Sequence, residues 1–598
     1  MKTFSIKKIA CALFCCFVVF SFLSTVVSAG ERNQITYFEL LNNDFIPAGP
    51  VQNDNFLPAE DAGSAQHVFR GSLKLSSIEM DVKPSFKYRE LLGRDPKIFP
   101  DVVIQFFTYR DELVPSTQDV ITPPPELRGE SYWEMVVQPG KIWSEPGDQG
   151  WSRAAFPFGL MHSIENETHN GIATFLFNQT SVSTVRFQIV TQTAPYYVAE
   201  HFIGWGQTQA TYDNTPLENE ADLKRAYALE KAHRFPAAKW SVLEGKVGKD
   251  KSAGYEGDMD PTYLVWSALV YDGVLYYKPC KTPYGDYPFL DNMRVGVWSV
   301  TKSIGPGVGM LRLAQKYGPY VFNLKITDYV DIDADHDGWK NVTFGDVLNM
   351  TTGIGGGTNT ASSSMSVDYL DKTYDAWYTT PSAEGKLDKI AECGNYPWGP
   401  GEVARYRDRD MFTLGAAMDA FLKSMEGPEA DIWTMLAEEV FKPIHVYHVP
   451  TTRTIENDGS TGLPLMAWGW FPTMDDIAKI ANLLHNKGCY HGQQILNLEK
   501  TMELFSAKGT FSKNENWKYG TARYKMAFHY MPFPDYSGQT MYLPLASGWI
   551  GNKILLMPGN MTGIRMSRAW PAPDDVQSAA EEPSPMAEVG SRLKPFVR

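Results

Sequence analysis

The chain has 598 residues, 43% of them apolar, 13% aromatic and 21% charged, and a formal net charge of −14. That length exceeds one ordinary domain, and the composition excludes disordered and coiled-coil classes. The acidity argues against a nucleic-acid partner.

The first segment, "MKTFSIKKIACALFCCFVVFSFLSTVVSAGE", sets Lys2, Lys7 and Lys8 ahead of an apolar run that ends at Val27-Ser28-Ala29. This order reads as a cleaved secretory signal over 1–29, so a secreted, extracellular or periplasmic location is expected. No later segment is long and apolar enough to span a bilayer. Of six cysteines, Cys11, Cys15 and Cys16 leave with the signal. Cys280, Cys393 and Cys489 remain, far apart, allowing one disulfide at most. None has metal-ligand spacing, and Cys393 has no His or basic residue directly beside it in sequence.

Residues 30–215 alternate runs such as "VVIQFFTYRD", "GIATFLFNQT" and "TVRFQIVTQT" with Gly, Pro, Asn and Asp clusters. That pattern predicts an N-terminal β-sandwich domain. Within it, "LMHSIENETHNG" gathers His162, Glu165, Glu167 and His169, but its Asn, Thr and Gly read as a loop, not a metal set. Residues 216–254 open with good helix formers at helical spacing and predict a helical linker, with one connecting helix reaching about 245.

From 255 to 598 strands such as "TYLVWSALVYDGVLYYK" give way to helical segments such as "TLGAAMDAFLKSM" and "DIAKIANLLHNK", and strands return at "NKILLMPGN". An α+β domain is expected, an antiparallel sheet flanked by helices. In the tail, "PAPDDVQSAAEEPSP" reads as mobile and "MAEVGSRLKPFV" as a terminal helix. "DIDADHDGW" spaces Asp333, Asp335 and Asp337 like a calcium loop, but position twelve is Phe344, so a solvated acidic turn is expected. Asn166, Asn178, Asn341, Asn349 and Asn560 begin glycosylation sequons.

The chemistry centres on "RVGVWSVTKSIGPGVGM", where Ser299 precedes Lys302 by three positions. A serine hydroxyl needs a base within hydrogen-bond reach, and a lysine can serve once it is neutral. Positions i and i+3 of a helix share a face, so the spacing brings amine and hydroxyl together. Pro306 should kink or shorten such a helix, and Gly305, Gly307 and Gly309 suggest tight packing. Downstream follow "VTFGDVLNMTTGIGGG", then Pro400-Gly401-Glu402 leading to Tyr406-Arg407-Asp408, then Ala546-Ser547-Gly548-Trp549.

This ordered set resembles the serine β-lactamase-like superfamily, especially its class C β-lactamase, esterase and 6-aminohexanoate-dimer hydrolase branches, over about residues 255–598. The resemblance implies a β-lactamase/transpeptidase-like domain with Ser299 as nucleophile, Lys302 as general base and Tyr406 as the phenol passing a proton to the leaving group. It implies an oxyanion hole of the Ser299 and Trp549 amides, with Asp408, Ser547 and Gly548 meeting substrate; Asp408 could instead orient Lys302. Two positions depart from the family pattern: Asp408 stands where Asn is usual, and Ala546 where a cation is usual. A carboxylate at 408 opposes loss of the lysine proton unless a cation such as Arg407 offsets it. Loss of the cation at 546 favours ester or amide substrates over β-lactams and D-alanyl peptides, the second reading. A non-catalytic binding protein on the same fold is the third. No metal or organic cofactor is implied, and the expected partner is a small ester or amide.

Overall fold

The computed structural model describes residues 32–83, 94–123, 131–196, 201–355, 373–569 and 572–597; the segment 1–29, read above as a secretory signal, lies outside them. In the N-terminal part, Ala210–Asp213, Arg70–Leu75, Val102–Tyr109 and Glu112–Pro115 form a four-stranded antiparallel sheet in that order. A second, seven-stranded sheet runs Asp81–Lys83, Ile203–Thr208, Val185–Gln192, His169–Phe177, Ser152–Met161 and Glu134–Val137, with Lys141–Trp143 also paired to Ser152–Met161.

Strand period explains the burial. Arg70–Leu75 alternates buried positions with exposed or half-buried ones, as a strand with one covered face must. Ser152–Met161, His169–Phe177 and Val185–Gln192 are buried along their whole length. Their Phe156, Phe158, Phe175 and Phe187 join Leu73, Ile104 and Phe106 of the four-stranded sheet in one cluster. Their Ala155, Ile172, Leu176 and Val190, on the opposite face, join the large core of the C-terminal part. The seven-stranded sheet is therefore covered on both sides.

The predicted connecting helix is broken. Helix Glu220–Ala232 stops ahead of Pro236, Ala237–Lys239 becomes an edge strand, and Trp240–Val247 and Lys249–Ser252 are separate helices. Pro236 cannot continue a helix, and Trp240 and Leu243 gain burial in a cluster with Leu269 and Leu555.

The C-terminal sheet has nine strands in the order Ala237–Lys239, Val274–Tyr277, Leu264–Tyr271, Met561–Ser567, Asn552–Met557, Thr540–Gly548, Phe528–Pro534, Gly520–Lys525 and Phe511–Trp517. Every pairing is antiparallel except that of Ala237–Lys239. One face, with Leu545, Leu555 and Met557, packs on Trp240 and the terminal helix Ser584–Leu593. The other, with Ala546, Ile554 and Leu556, lies against Ile304 and helix Met474–His485, within the large core that also includes helices Val308–Tyr317 and Asp408–Glu426.

The tail is more ordered than its composition predicts: Asp574–Glu581 is a helix. Asp574 and Asp575 stand in its first turn, where the helix dipole favours carboxylates, and Val576, Ala579 and Ala580 pack near Leu264 and Ile550. Among the described residues, no helix is long and apolar enough to cross a membrane.

Helix Ala383–Ala391 sends Lys386 inward, where its Nζ donates to the carbonyls of Trp377 (2.9 Å) and Tyr378 (3.2 Å). Burial pushes this amine down to about 7 from an ordinary 10.5. Between those values the unfolded chain holds a proton that the folded chain lacks, so this group's contribution to stability rises with pH across the window and is lost as pH falls to 7. The difference in thermal midpoint between wild type and Lys386→Met should shift in favour of wild type from pH 7 to pH 9. A pH-independent difference would contradict it.

Candidate active site

The nucleophile segment is built from close approaches. A Cβ on Gly296 would fall 1.3 Å from the Asn166 carbonyl oxygen, so only glycine lets the two chains pass. Trp298 follows in the left-handed region at φ 51°. Ser299 then opens a helix over Val300–Lys302. The run widens into a π-helical turn over Ser303–Gly307 and resumes as Val308–Tyr317. Pro306 thus neither ends nor shortens the helix: the wider turn moves away the carbonyl its ring would strike. Gly305 and Gly309 pack tightly, with added Cβ atoms 2.8 Å from Met466 Sδ and 2.6 Å from Met418 Cε.

Lys302 is 1% exposed. Its Nζ lies 2.6 Å from Ser299 Oγ, 2.7 Å from the Ala467 carbonyl oxygen and 2.7 Å from Asp408 Oδ1. It also sits 4.8 Å from the centre of the Tyr406 ring. Two hydrogen-bond acceptors and a paired carboxylate surround the amine, and the carboxylate favours positive charge there. Asp408 is the first residue of helix Asp408–Glu426, and its Oδ2 accepts from Tyr374 OH (2.7 Å). Arg407, next to it in sequence, pairs through Nε with Asp410 (3.0 Å), and its Nη2 lies 3.3 Å from Cys393 Sγ.

The third wall is the end of strand Thr540–Gly548. A Cβ on Gly548 would lie 2.2 Å from the Val297 carbonyl oxygen and 3.3 Å from the Ser299 amide nitrogen, which brings the following residue, Trp549, beside the nucleophile's own amide. Ala546 carries no charge, yet a cation reaches the strand from its neighbour. Lys553, fully buried and opposite Ser547 in register, donates to Ser547 Oγ at 2.6 Å and pairs with Glu581. His529 stands 5.8 Å, ring to ring, from Tyr406. Burial, then the charges of Lys513, Lys553 and Lys302, hold its imidazole well below the usual range, so it is neutral near pH 7.

Ser299, Lys302, Tyr406, Asp408, Ser547, Gly548 and Trp549 therefore come together from three separate stretches of chain. Sequence reasoning missed Ala467, Tyr374 and Lys553, and also Asn166, Thr168 and Tyr196 of the N-terminal part. Asn166 Oδ1 accepts from the Trp298 amide (2.7 Å), and Tyr196 stacks edgewise on Trp298 and Trp549 with ring centres 5.8 and 4.8 Å away. No motif marks these residues; a carbonyl partner and a cross-strand neighbour leave no signature in sequence.

The stretch read as a loop at 162–169 is buried between the two parts. Burial drives His162 well below the ordinary histidine range and His169 to about 3, while it raises Glu167. Both imidazoles are neutral, and Glu165 accepts from Tyr378 OH (3.0 Å). The Asn166 sequon is correspondingly inaccessible, its side chain 0% exposed. Cys280, Cys393 and Cys489 are free thiols. Cys393 has basic neighbours after all, Arg407 and Arg409, which the sequence places 14 and 16 positions away.

No family model and no curated protein matches the chain. Solved structures similar to it include a Bacillus anthracis protein assigned as a 6-aminohexanoate-dimer hydrolase: 15% identity, TM-score 0.43, covering 60% of this chain and 88% of that one. EstCE1, a hydrolase with promiscuous acyltransferase activity, is 12% identical, with TM-score 0.42 and coverage of 59% and 99%. A class C β-lactamase is 12% identical, with TM-score 0.37 and coverage of 59% and 97%. These names are consistent with the serine β-lactamase-like superfamily. The site geometry, not the overall likeness, carries the functional reading that follows.

Gly548→Ala is expected to slow reaction of Ser299 with a fluorophosphonate by at least about tenfold, since backbone atoms beside the nucleophile must move to admit the methyl group. Labelling at the wild-type rate would show that the strand end does not set the site.

Proposed function

We propose that this protein is a secreted serine hydrolase that cleaves an ester or amide bond through an acyl-enzyme on Ser299. One observation carries the reading: a fully buried amine lies 2.6 Å from a half-buried serine hydroxyl and faces a phenol. In its neutral form Lys302 takes the Ser299 proton as Oγ attacks the substrate carbonyl. The ammonium so formed finds acceptors in Ala467 O and Asp408. The oxyanion rests on the Ser299 and Trp549 amides, and the proton held by Lys302 passes through Tyr406 to the leaving group and leaves the amine neutral again. Water then cleaves the acyl ester to release the acid and restore Ser299. Ser547 and Gly548 border the substrate. Asp408 orients Lys302 in this scheme and replaces the usual Asn as a charge partner.

The proposed organisation is a signal at 1–29, a β-sandwich domain at 30–215, a connecting region at 216–254 and a β-lactamase-like hydrolase domain at 255–598. The two N-terminal sheets and their shared aromatic cluster support the sandwich.

A second reading, β-lactamase or D-alanyl peptidase, draws support from Lys553. Its amine stands at Ser547, close to where the third motif lacks its own cation, and could attract a substrate carboxylate. Glu581 balances that charge, which keeps a neutral ester or amide first.

Ser299→Ala should abolish fluorophosphonate labelling, and Lys302→Ala should lower turnover of a short aryl ester by about 10²–10⁴-fold. Equal labelling of wild type and Ser299→Ala would leave the non-catalytic reading standing. Lys553→Met separates the substrate classes. If the second reading is right, turnover of a chromogenic β-lactam falls far more than that of a neutral ester; if the first is right, the lactam is not turned over by either protein.

A further inference from the structure

Besides the 194–196 stretch, the N-terminal part reaches the site through a buried segment, 164–168, that is bonded both to the chain just before Ser299 and to the chain beside the Lys302 acceptor. On the nucleophile side, Asn166 Oδ1 accepts from the Trp298 amide (2.7 Å) and Thr168 Oγ1 accepts from the Gly296 amide (3.2 Å). Trp298 is the residue before Ser299 and holds φ 51°, a left-handed conformation that a non-glycine residue keeps only when its surroundings hold it there. On the lysine side, the chain at 467–470 supplies the carbonyl that Lys302 binds. That chain is held by Asn166 Nδ2, which donates to Trp470 O (3.2 Å), and by Ile164 O, which accepts from Trp468 Nε1 (2.8 Å). The Trp470 amide in turn donates to Thr301 Oγ1 (3.2 Å), closing the circuit back onto the nucleophile helix.

We propose that Asn166 is a positioning residue. Its single amide group spans the strained turn that presents Ser299 and the segment that presents the Lys302 acceptor, and so sets the distance between hydroxyl and amine. The N-terminal part is then an obligatory component of the active centre and not an appended module. Asn166 suits the task because its side chain both accepts and donates, which aspartate or leucine at the same position could not do. The proposal rests on the hydrolase reading above.

Asn170 provides an internal control. It lies on the same buried seam and donates to Arg294 O (2.8 Å), but Arg294 is turned toward Asp476 and the Phe471 carbonyl. The test compares full-length wild type, Asn166→Ala, Thr168→Val and Asn170→Ala by fluorophosphonate labelling rate, by kcat and KM on an aryl ester, and by thermal midpoint. Asn166→Ala is expected to lower kcat and the labelling rate by about ten- to hundredfold with KM within about twofold. Thr168→Val, nearly isosteric, should lower them by about threefold, and Asn170→Ala should lose thermal stability while keeping kcat. Should Asn166→Ala not fold, the Thr168→Val and Asn170→Ala comparison decides. The inference is overturned if Asn166→Ala and Thr168→Val react at the wild-type rate, or if Asn170→Ala slows reaction as much as they do. A wild type that fails to label removes the hydrolase reading itself, and the positioning role with it.

Discussion

A buried ammonium is tolerable only when each of its N–H bonds has an acceptor, and the Lys302 site is organised around that requirement. Ser299 Oγ and the Ala467 carbonyl accept one bond each, and Asp408 pairs with the charge at 2.7 Å. The same three partners fix the direction of the amine, so satisfying the charge and aiming the base are one arrangement. When the amine gives up its charge, it does so while still anchored. Proton transfer from the serine restores a fully paired state.

Each acceptor is itself held from a different part of the chain. Asp408 starts a nineteen-residue helix and is fixed by Tyr374. Ala467 belongs to a segment tied to Ile164 and Asn166. Ser299 sits on a helix whose π-turn absorbs Pro306 and whose glycines admit Met466 and Met418 at close range. Three indoles of the C-terminal part, Trp298, Trp468 and Trp549, donate to carbonyls of Ala194, Ile164 and Pro195 in the N-terminal part. Buried indole N–H groups need such partners, so these bonds register the two parts against each other beside the site.

The two-faced burial of the seven-stranded sheet follows from the same architecture. One face holds aromatic residues for the four-stranded sheet, the other holds Ala155, Ile172, Leu176 and Val190 for the C-terminal core. A sheet covered on one side only would have left the 162–170 segment in water. Covered on both, it keeps that segment dry, its histidines neutral and its amide groups available for the nucleophile strand.

The sequence by itself determined the elements governed by local rules: the strand periods before residue 215, the mixed texture after 255, and the i, i+3 spacing that puts Lys302 on the face of Ser299. The ordered motifs also located Tyr406, Asp408 and the Ala546-Ser547-Gly548-Trp549 strand end. Local rules misjudged the connecting helix and the acidic tail, because packing partners remote in sequence decided both cases, and they did not foresee the π-helical turn that accommodates Pro306. Only the tertiary structure revealed Ala467, Lys553 and Asn166. The reason is physical: a backbone carbonyl, a side chain one strand over and an amide from another sheet act through distance alone. Distance between remote segments is settled by how two cores close on each other, not by any spacing along the chain.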